Sequence, residues 1–180
     1  MLAPLDTVIE SERLRLVPAA EAYAESILLE FTAEITTYMF PKPPDAIEEV
    51  LAFIARSRSE MARSEALVVA VLDKRTGEFL GHGGLHHIDS DTPELGIWLK
   101  KGAHGHRYGR EAVTALAGWA QHNLPFRYLI YPVDRRNVAS RKIPESLGGV
   151  IEAEYEQTGA GGQALSLLEY RMYAVARPDA

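Results

Sequence analysis

The stretch Trp98-Leu99-Lys100-Lys101-Gly102-Ala103-His104-Gly105-His106-Arg107-Tyr108-Gly109-Arg110-Glu111-Ala112 decides how the rest of the chain is read. Just before it, Glu94 to Leu99 alternates as a strand does: Glu94, Gly96 and Trp98 share one face, Leu95, Ile97 and Leu99 the other. Just after it, Ala112, Val113, Leu116, Trp119 and Ala120 recur at helical spacing, which predicts a helix from about Arg110 to His122. The turn between them holds glycines and the cations Lys100, Lys101, Arg107 and Arg110. The first amides of a helix have no partner inside it, and the helix dipole is positive at that end. Glycines let an anion approach the main chain closely. The segment therefore suits a ligand such as a pyrophosphate; the alternative is an ordinary glycine-rich strand-to-helix connection. It lacks both the Gly-x-x-x-x-Gly-Lys-Ser/Thr of a P-loop and the Gly-x-Gly-x-x-Gly of a dinucleotide fingerprint.

Working outward, Ser11 to Val17 alternates as a first strand closed by Pro18, and Tyr23, Ala24, Ile27, Leu28 and Phe31 follow at helical spacing. Thr32 to Pro44 reads as an ordered loop with apolar side chains, either a satellite of the core or the wall of a substrate cleft. Asp45 and Glu48 form a candidate capping box for a helix whose buried stripe is Ile47, Val50, Leu51, Ile54 and Met61. Ala66 to Leu72 is continuously apolar, as in a strand covered on both faces. A turn at Gly77 leads to a strand from Glu78 to Ile88. Arg127 to Val133 is a further strand, Asn137 caps a helix ended by Gly148 and Gly149, and Val150–Tyr155 with Leu165–Val175 closes as a hairpin. The expectation is a single α/β (α+β) domain over 11–176, with an extension at 1–10 and a tail at 177–180. Its sheet is mixed, mostly antiparallel and twisted, of about seven strands, with helices on both faces and parallel pairing in the later strand–helix–strand units.

Composition narrows the function. The chain has 180 residues, 47% of them hydrophobic, enough for one core. It has no cysteine, so disulfides, thiolate nucleophiles and cysteine-rich zinc sites are excluded. A net charge of −6 opposes binding to a phosphate backbone and favours cationic partners such as amines, so no nucleic-acid partner is expected. The longest apolar run, about Leu67 to Leu72, is far short of the roughly 20 residues that span a bilayer. Met1 to Glu10 has neither the charge nor the apolar stretch of a signal peptide, so no membrane partner and a cytoplasmic location are expected. His82, His86, His87, His104 and His106 have no chelating spacing, so no metal is expected. There is also no Gly-x-Ser-x-Gly elbow.

His104-Gly105-His106-Arg107-Tyr108-Gly109 resembles the coenzyme A pyrophosphate loop of the GNAT acetyltransferases, Gln/Arg-x-x-Gly-x-Gly/Ala. His104 replaces Gln or Arg, and Arg107 replaces the central Gly, tolerable if its φ is helical. Gly105, Tyr108, Gly109, Glu111 and Ala112 match the branch that includes the ribosomal-protein alanine N-acetyltransferases. Four further segments agree in order and spacing: Ser11–Leu16, Thr76–Gly81, Glu94–Leu99, and Asn137–Arg141 with Leu147-Gly148. Gly149 stands where Phe is usual.

The resemblance implies direct acetyl transfer from acetyl-coenzyme A to an amine, with no metal. The acceptor would be a small molecule, a polyamine or a protein N-terminus; a non-catalytic coenzyme A- or phosphate-binding module is the alternative. A homodimer is possible by the same resemblance. The coenzyme would lie in a gap between Glu94–Leu99 and Arg127–Val133. Its implied contacts are Trp98, Leu99, Lys100, His104, Gly105, His106, Arg107, Tyr108, Gly109, Arg110, Asn137 and Ser140. A main-chain amide near Trp98 would face the thioester carbonyl. Ser140 is the candidate donor to the leaving thiolate. Glu94 is the candidate base, with His86 and His87 as rivals of which only one can point into the cleft. Tyr38, Phe40 and His86 are candidate acceptor contacts, with Ile35–Phe40 and Gly159–Gly162 shaping that site.

Overall fold

The structure is a computed structural model that describes residues 2–174; the expected strand end at Val175, the domain end at 176 and the tail at 177–180 lie outside the described residues. The strands are β1 (Ile9–Glu10), β2 (Leu14–Pro18), β3 (Ala66–Asp73), β4 (Phe79–His86), β5 (Glu94–Leu99), β6 (Tyr128–Asp134), β7 (Val150–Thr158) and β8 (Ala164–Tyr173). The helices are α1 (Ala24–Glu30), α2 (Ala33–Thr36), α3 (Ile47–Ala62), α4 (Tyr108–Asn123) and α5 (Val138–Ser146). Among the described residues the strands form one sheet in the order β1-β2-β3-β4-β5-β6-β8-β7, eight strands where about seven are expected. The additional one is β1, which pairs with β2 through Ile9 and Leu16; Leu2, Leu5 and Ile9 pack on the core beside it.

All neighbours are antiparallel except β5 and β6. Parallel pairing is thus confined to the β5–α4–β6 unit. The β6–α5–β7 unit does not produce it, because β8 inserts between β6 and β7 and pairs antiparallel with both. The apolar stripes of α1 and α3 cover one face of the sheet, where Ala24, Ile27, Val50 and Ile54 meet Ala70, Leu72 and Phe79. On the other face, Ala112, Val113, Leu116 and Ala120 of α4 pack on Leu85, Leu95 and Leu99. Every residue of β3 from Ala66 to Leu72 is buried, as its unbroken apolar run requires. Among the described residues no helix is long and apolar enough to cross a membrane.

Local signals are mostly obeyed. Gly77 takes φ +75° in the β3–β4 turn, while Asp73 accepts from the amides of Arg75 and Thr76. The expected capping box at Asp45 does not form: α3 begins at Ile47 after Ala46, with no side-chain cap, and Asp45 pairs with Lys42 instead. The loop at 32–44 contains the short helix α2, which Thr32 caps. The helix expected from Arg110 starts two residues earlier, at Tyr108.

Candidate functional site

Two parallel strands that separate create the central feature. β5 and β6 share a single registered pair, Glu94 with Ile130, and the Ile130 amide donates to the Pro93 carbonyl at 2.8 Å. Beyond that pair the strands part towards Leu99 and Asp134. Strand alternation fixes which amides of β5 face the opening. Since Pro93 faces β6 and the Lys100 amide donates to Leu80 of β4, the amide of Ile97 is turned into the gap and that of Trp98 towards β4. The amide near Trp98 that faces the gap is therefore that of Ile97. The Trp98 ring lies on the opposite side, against Phe31 at 4.6 Å between centroids.

A large open cavity runs from this gap to the start of α4. Leu99, His104, Gly105 and Arg107 to Arg110 line its end. The first helical hydrogen bond is that of the Glu111 amide to the Arg107 carbonyl, 3.1 Å, so the amides of Tyr108, Gly109 and Arg110 precede it. Gly105 has φ +82°. A side chain at Gly109 would press on Ile143 at 3.3 Å, so this glycine lets α4 and α5 meet. Arg107 does not meet the condition of a helical φ: its φ of +63° lies in the left-handed region glycine favours. That explains why the family pattern has Gly here; the exposed Arg107 side chain lines the cavity at the helix start. His104 reaches back to the Leu99 carbonyl through Nε2 at 2.9 Å, bracing the turn. Two expected contacts are engaged elsewhere. Lys100 pairs with Glu78 at 2.5 Å, and His106 packs against Tyr108.

Asn137 caps α5 by accepting the Ser140 amide at 3.1 Å. One turn into the helix, the Ser140 hydroxyl lies 2.8 Å from the hydroxyl of Tyr131 on β6. Burial pushes the Tyr131 phenol up to about 12, partly opposed by that hydrogen bond. Asn137, Ser140 and Tyr131 all line the cavity. The β6–α5 link is held by Asp134, which accepts two hydrogen bonds from the Arg136 side chain and one from the Ser166 amide. The Arg136 guanidinium holds its carboxyl down at about 2. Pro144, inside α5, offers its carbonyl to the amides of Leu147 and Gly149. A side chain at Gly149 would come 2.8 Å from that carbonyl, so the missing Phe reflects packing.

The other mouth of the cavity faces α1 and α3. Cross-strand pairs set its floor: His82 opposite Trp98, Gly84 opposite Gly96, and His86 opposite Glu94. The glycines leave a trough above Gly96, where a Cβ would meet nothing within 4 Å, while at Gly84 a Cβ would come 3.1 Å from the Leu67 carbonyl. Burial raises the Glu94 carboxyl above its ordinary value, with His87 opposing and Glu169 adding; burial likewise lowers the His86 imidazole. Both line the cavity, whereas His87 is exposed with φ +55°. Tyr38 and Phe40 form the lip, Phe40 being 52% exposed. The β7–β8 turn meets them: Ala160 donates its amide to the Phe40 carbonyl at 2.7 Å, and Gln163 donates to the Met39 carbonyl at 2.7 Å. Among the described residues no group of three His, Asp or Glu side chains comes together in a way that could hold a metal.

The acetyltransferase (GNAT) domain family matches residues 13–150. The chain belongs to that family. GNAT enzymes take their acetyl group from acetyl-coenzyme A, and this chain is an N-acetyltransferase of that kind. The GNAT fold is shared with a GCN5-related N-acetyltransferase from Brucella melitensis: TM-score 0.78, 19% identity, 96% of this chain and 81% of that one. It is also shared with RimL, a ribosomal L7/L12 alpha-N-protein acetyltransferase solved with coenzyme A in a disulfide to one of its cysteines: TM-score 0.80, 16% identity, 93% of this chain and 98% of that one. This GNAT chain has no cysteine and cannot form such a disulfide. Comparison with curated proteins yields no match.

Sequence reasoning missed three contributors to this GNAT site. Tyr131 looks like any aromatic residue in a strand, and only the fold brings it to Ser140, nine positions on. The Gly84–Gly96 trough depends on the β4–β5 register. Ile97 needed the direction of one amide.

Proposed function

We propose that the chain transfers acetyl directly from acetyl-coenzyme A to an amine, either of a small molecule or of a protein N-terminus, with both substrates bound together. The divergence of β5 and β6 carries this reading. It leaves room for a pantetheine arm whose pyrophosphate end meets the α4 amides and whose thioester end lies between Ile97 and Ser140. Arg107 and Arg110 add positive charge beside the pyrophosphate, and Asn137 lines the path of the arm.

The amine enters over the glycine trough and attacks the thioester carbonyl as its proton passes to Glu94, directly or through water. The Ile97 amide faces the oxyanion that forms. As the carbon–sulfur bond breaks, the Ser140 hydroxyl donates to the leaving sulfur. Tyr131, protonated at neutral pH, donates to the Ser140 oxygen and directs the serine proton into the gap. The test is calorimetry with acetyl-coenzyme A, followed by a thiol-release assay over an amine panel. Binding with thiol release for at least one amine is expected; binding with release for none would overturn the proposal.

A further inference from the structure

His82 stands at the inner end of the acceptor mouth and has no role in the chemistry above. It is 3% exposed, and among the described residues neither ring nitrogen has a hydrogen-bond partner. Its surroundings are aromatic. The ring stacks on Trp98 at 6.2 Å with 10° between planes, and it contacts Phe53 at 5.8 Å and Phe79 at 5.9 Å. A buried imidazole with both nitrogens unpaired is costly, and native interiors seldom keep one without a use. Burial holds it neutral, down at about 4, so at pH 7 it has one donor and one acceptor to offer. His82 lines the same cavity as Gly84 and Gly96, two residues further along each strand, or roughly 6.6 Å.

Resting on the acetyltransferase reading of this cleft, we infer that His82 is a specificity-determining residue that hydrogen-bonds a hydroxyl carried a few bonds from the acceptor amine. A hydroxyl can both accept from and donate to a neutral imidazole, and it brings no charge into the aromatic box. An aliphatic group in its place leaves the imidazole unpaired. A buried polar site discriminates sharply against an analogue that cannot pair with it.

The test compares serinamide with 2-aminobutanamide, which has a methyl in place of the hydroxyl, on the full chain saturated with acetyl-coenzyme A. kcat/KM is expected to favour serinamide about tenfold or more, and the His82→Phe variant to bring the ratio close to one. His82→Gln, which keeps a donor and an acceptor, is expected to restore part of the preference. In parallel, imidazole nitrogen shifts are followed by NMR as each amide is added to the coenzyme A complex; only serinamide should move the His82 signals. Serinamide moving those signals without any thiol release would sustain the role of His82 and sink the transfer reading. Transfer at equal rates to both amides, with the His82 signals unmoved, would overturn the inference and leave the transfer reading standing. If His82→Phe fails to fold, His82→Gln and the wild-type NMR comparison still decide.

Discussion

The two mouths of the cleft are built from different materials. The coenzyme side is made largely of main chain: helix-start amides, two residues with positive φ, and a strand edge that has lost its neighbour. Its principal side chains are already paired, Ser140 with Tyr131 and His104 with Leu99. The acceptor side is made of side chains standing on a glycine floor, and its most buried polar group is unpaired. A surface made of backbone tolerates side-chain change and binds one constant ligand. A surface made of side chains can be retuned residue by residue, and the proposed function puts the choice of acceptor there.

Three substitutions would break or sharpen this contrast. The largest effect is expected on the coenzyme side. Ser140→Ala should lower kcat about a hundredfold, the ordinary worth of a positioned proton donor, with KM for acetyl-coenzyme A within about twofold. Steady-state kinetics reads both, and an unchanged kcat would remove Ser140 from the chemistry. On the acceptor side, Glu94→Gln should cost about tenfold at pH 7 towards an α-amine, since roughly a tenth of such an amine is already neutral there. The pH profile carries the sign. A base works when ionised, so kcat/KM rises with pH through the Glu94 value. Because burial raises that value, the Glu94 limb should lie above the ordinary carboxylate range and should vanish in Glu94→Gln, leaving the later rise that belongs to the amine itself. The smallest effect belongs to Arg107. Arg107→Gly should relieve left-handed backbone at a residue with a side chain and raise stability by up to about 1 kcal/mol, less the flexibility glycine adds to the unfolded chain. The same change removes a cation, so coenzyme A affinity should fall a few-fold. Denaturant unfolding and calorimetry separate the two; a loss of stability would show that the side chain braces the turn.

The same contrast explains what could be read in advance. The strand, turn and helix of residues 94–122 are encoded locally, in alternation, glycines and a 3.6-residue period, and they form nearly where the spacing puts them. Asn137 caps α5 for the same reason. Partners distant in sequence were not legible. The pairing of Tyr131 with Ser140, the facing of Gly84 and Gly96, and the seating of His82 among Phe53, Phe79 and Trp98 arise from sheet register and from helices crossing it. The misplaced cap at Asp45 is instructive: α3 starts one residue later than the pattern puts it, with Ala46 at the cap position, and the Asp45 carboxylate pairs with Lys42. The left-handed Arg107 was hidden because a residue with a side chain seldom takes that backbone, and nothing in the local sequence marks it.

Two main-chain carbonyls, those of Met39 and Phe40, are clasped by the hairpin tip at Gln163 and Ala160. The two lips of the acceptor mouth, more than a hundred residues apart along the chain, are thereby riveted into one jaw. Parting them costs both hydrogen bonds, so on the proposed function a loosened tip widens the entrance for every acceptor at once.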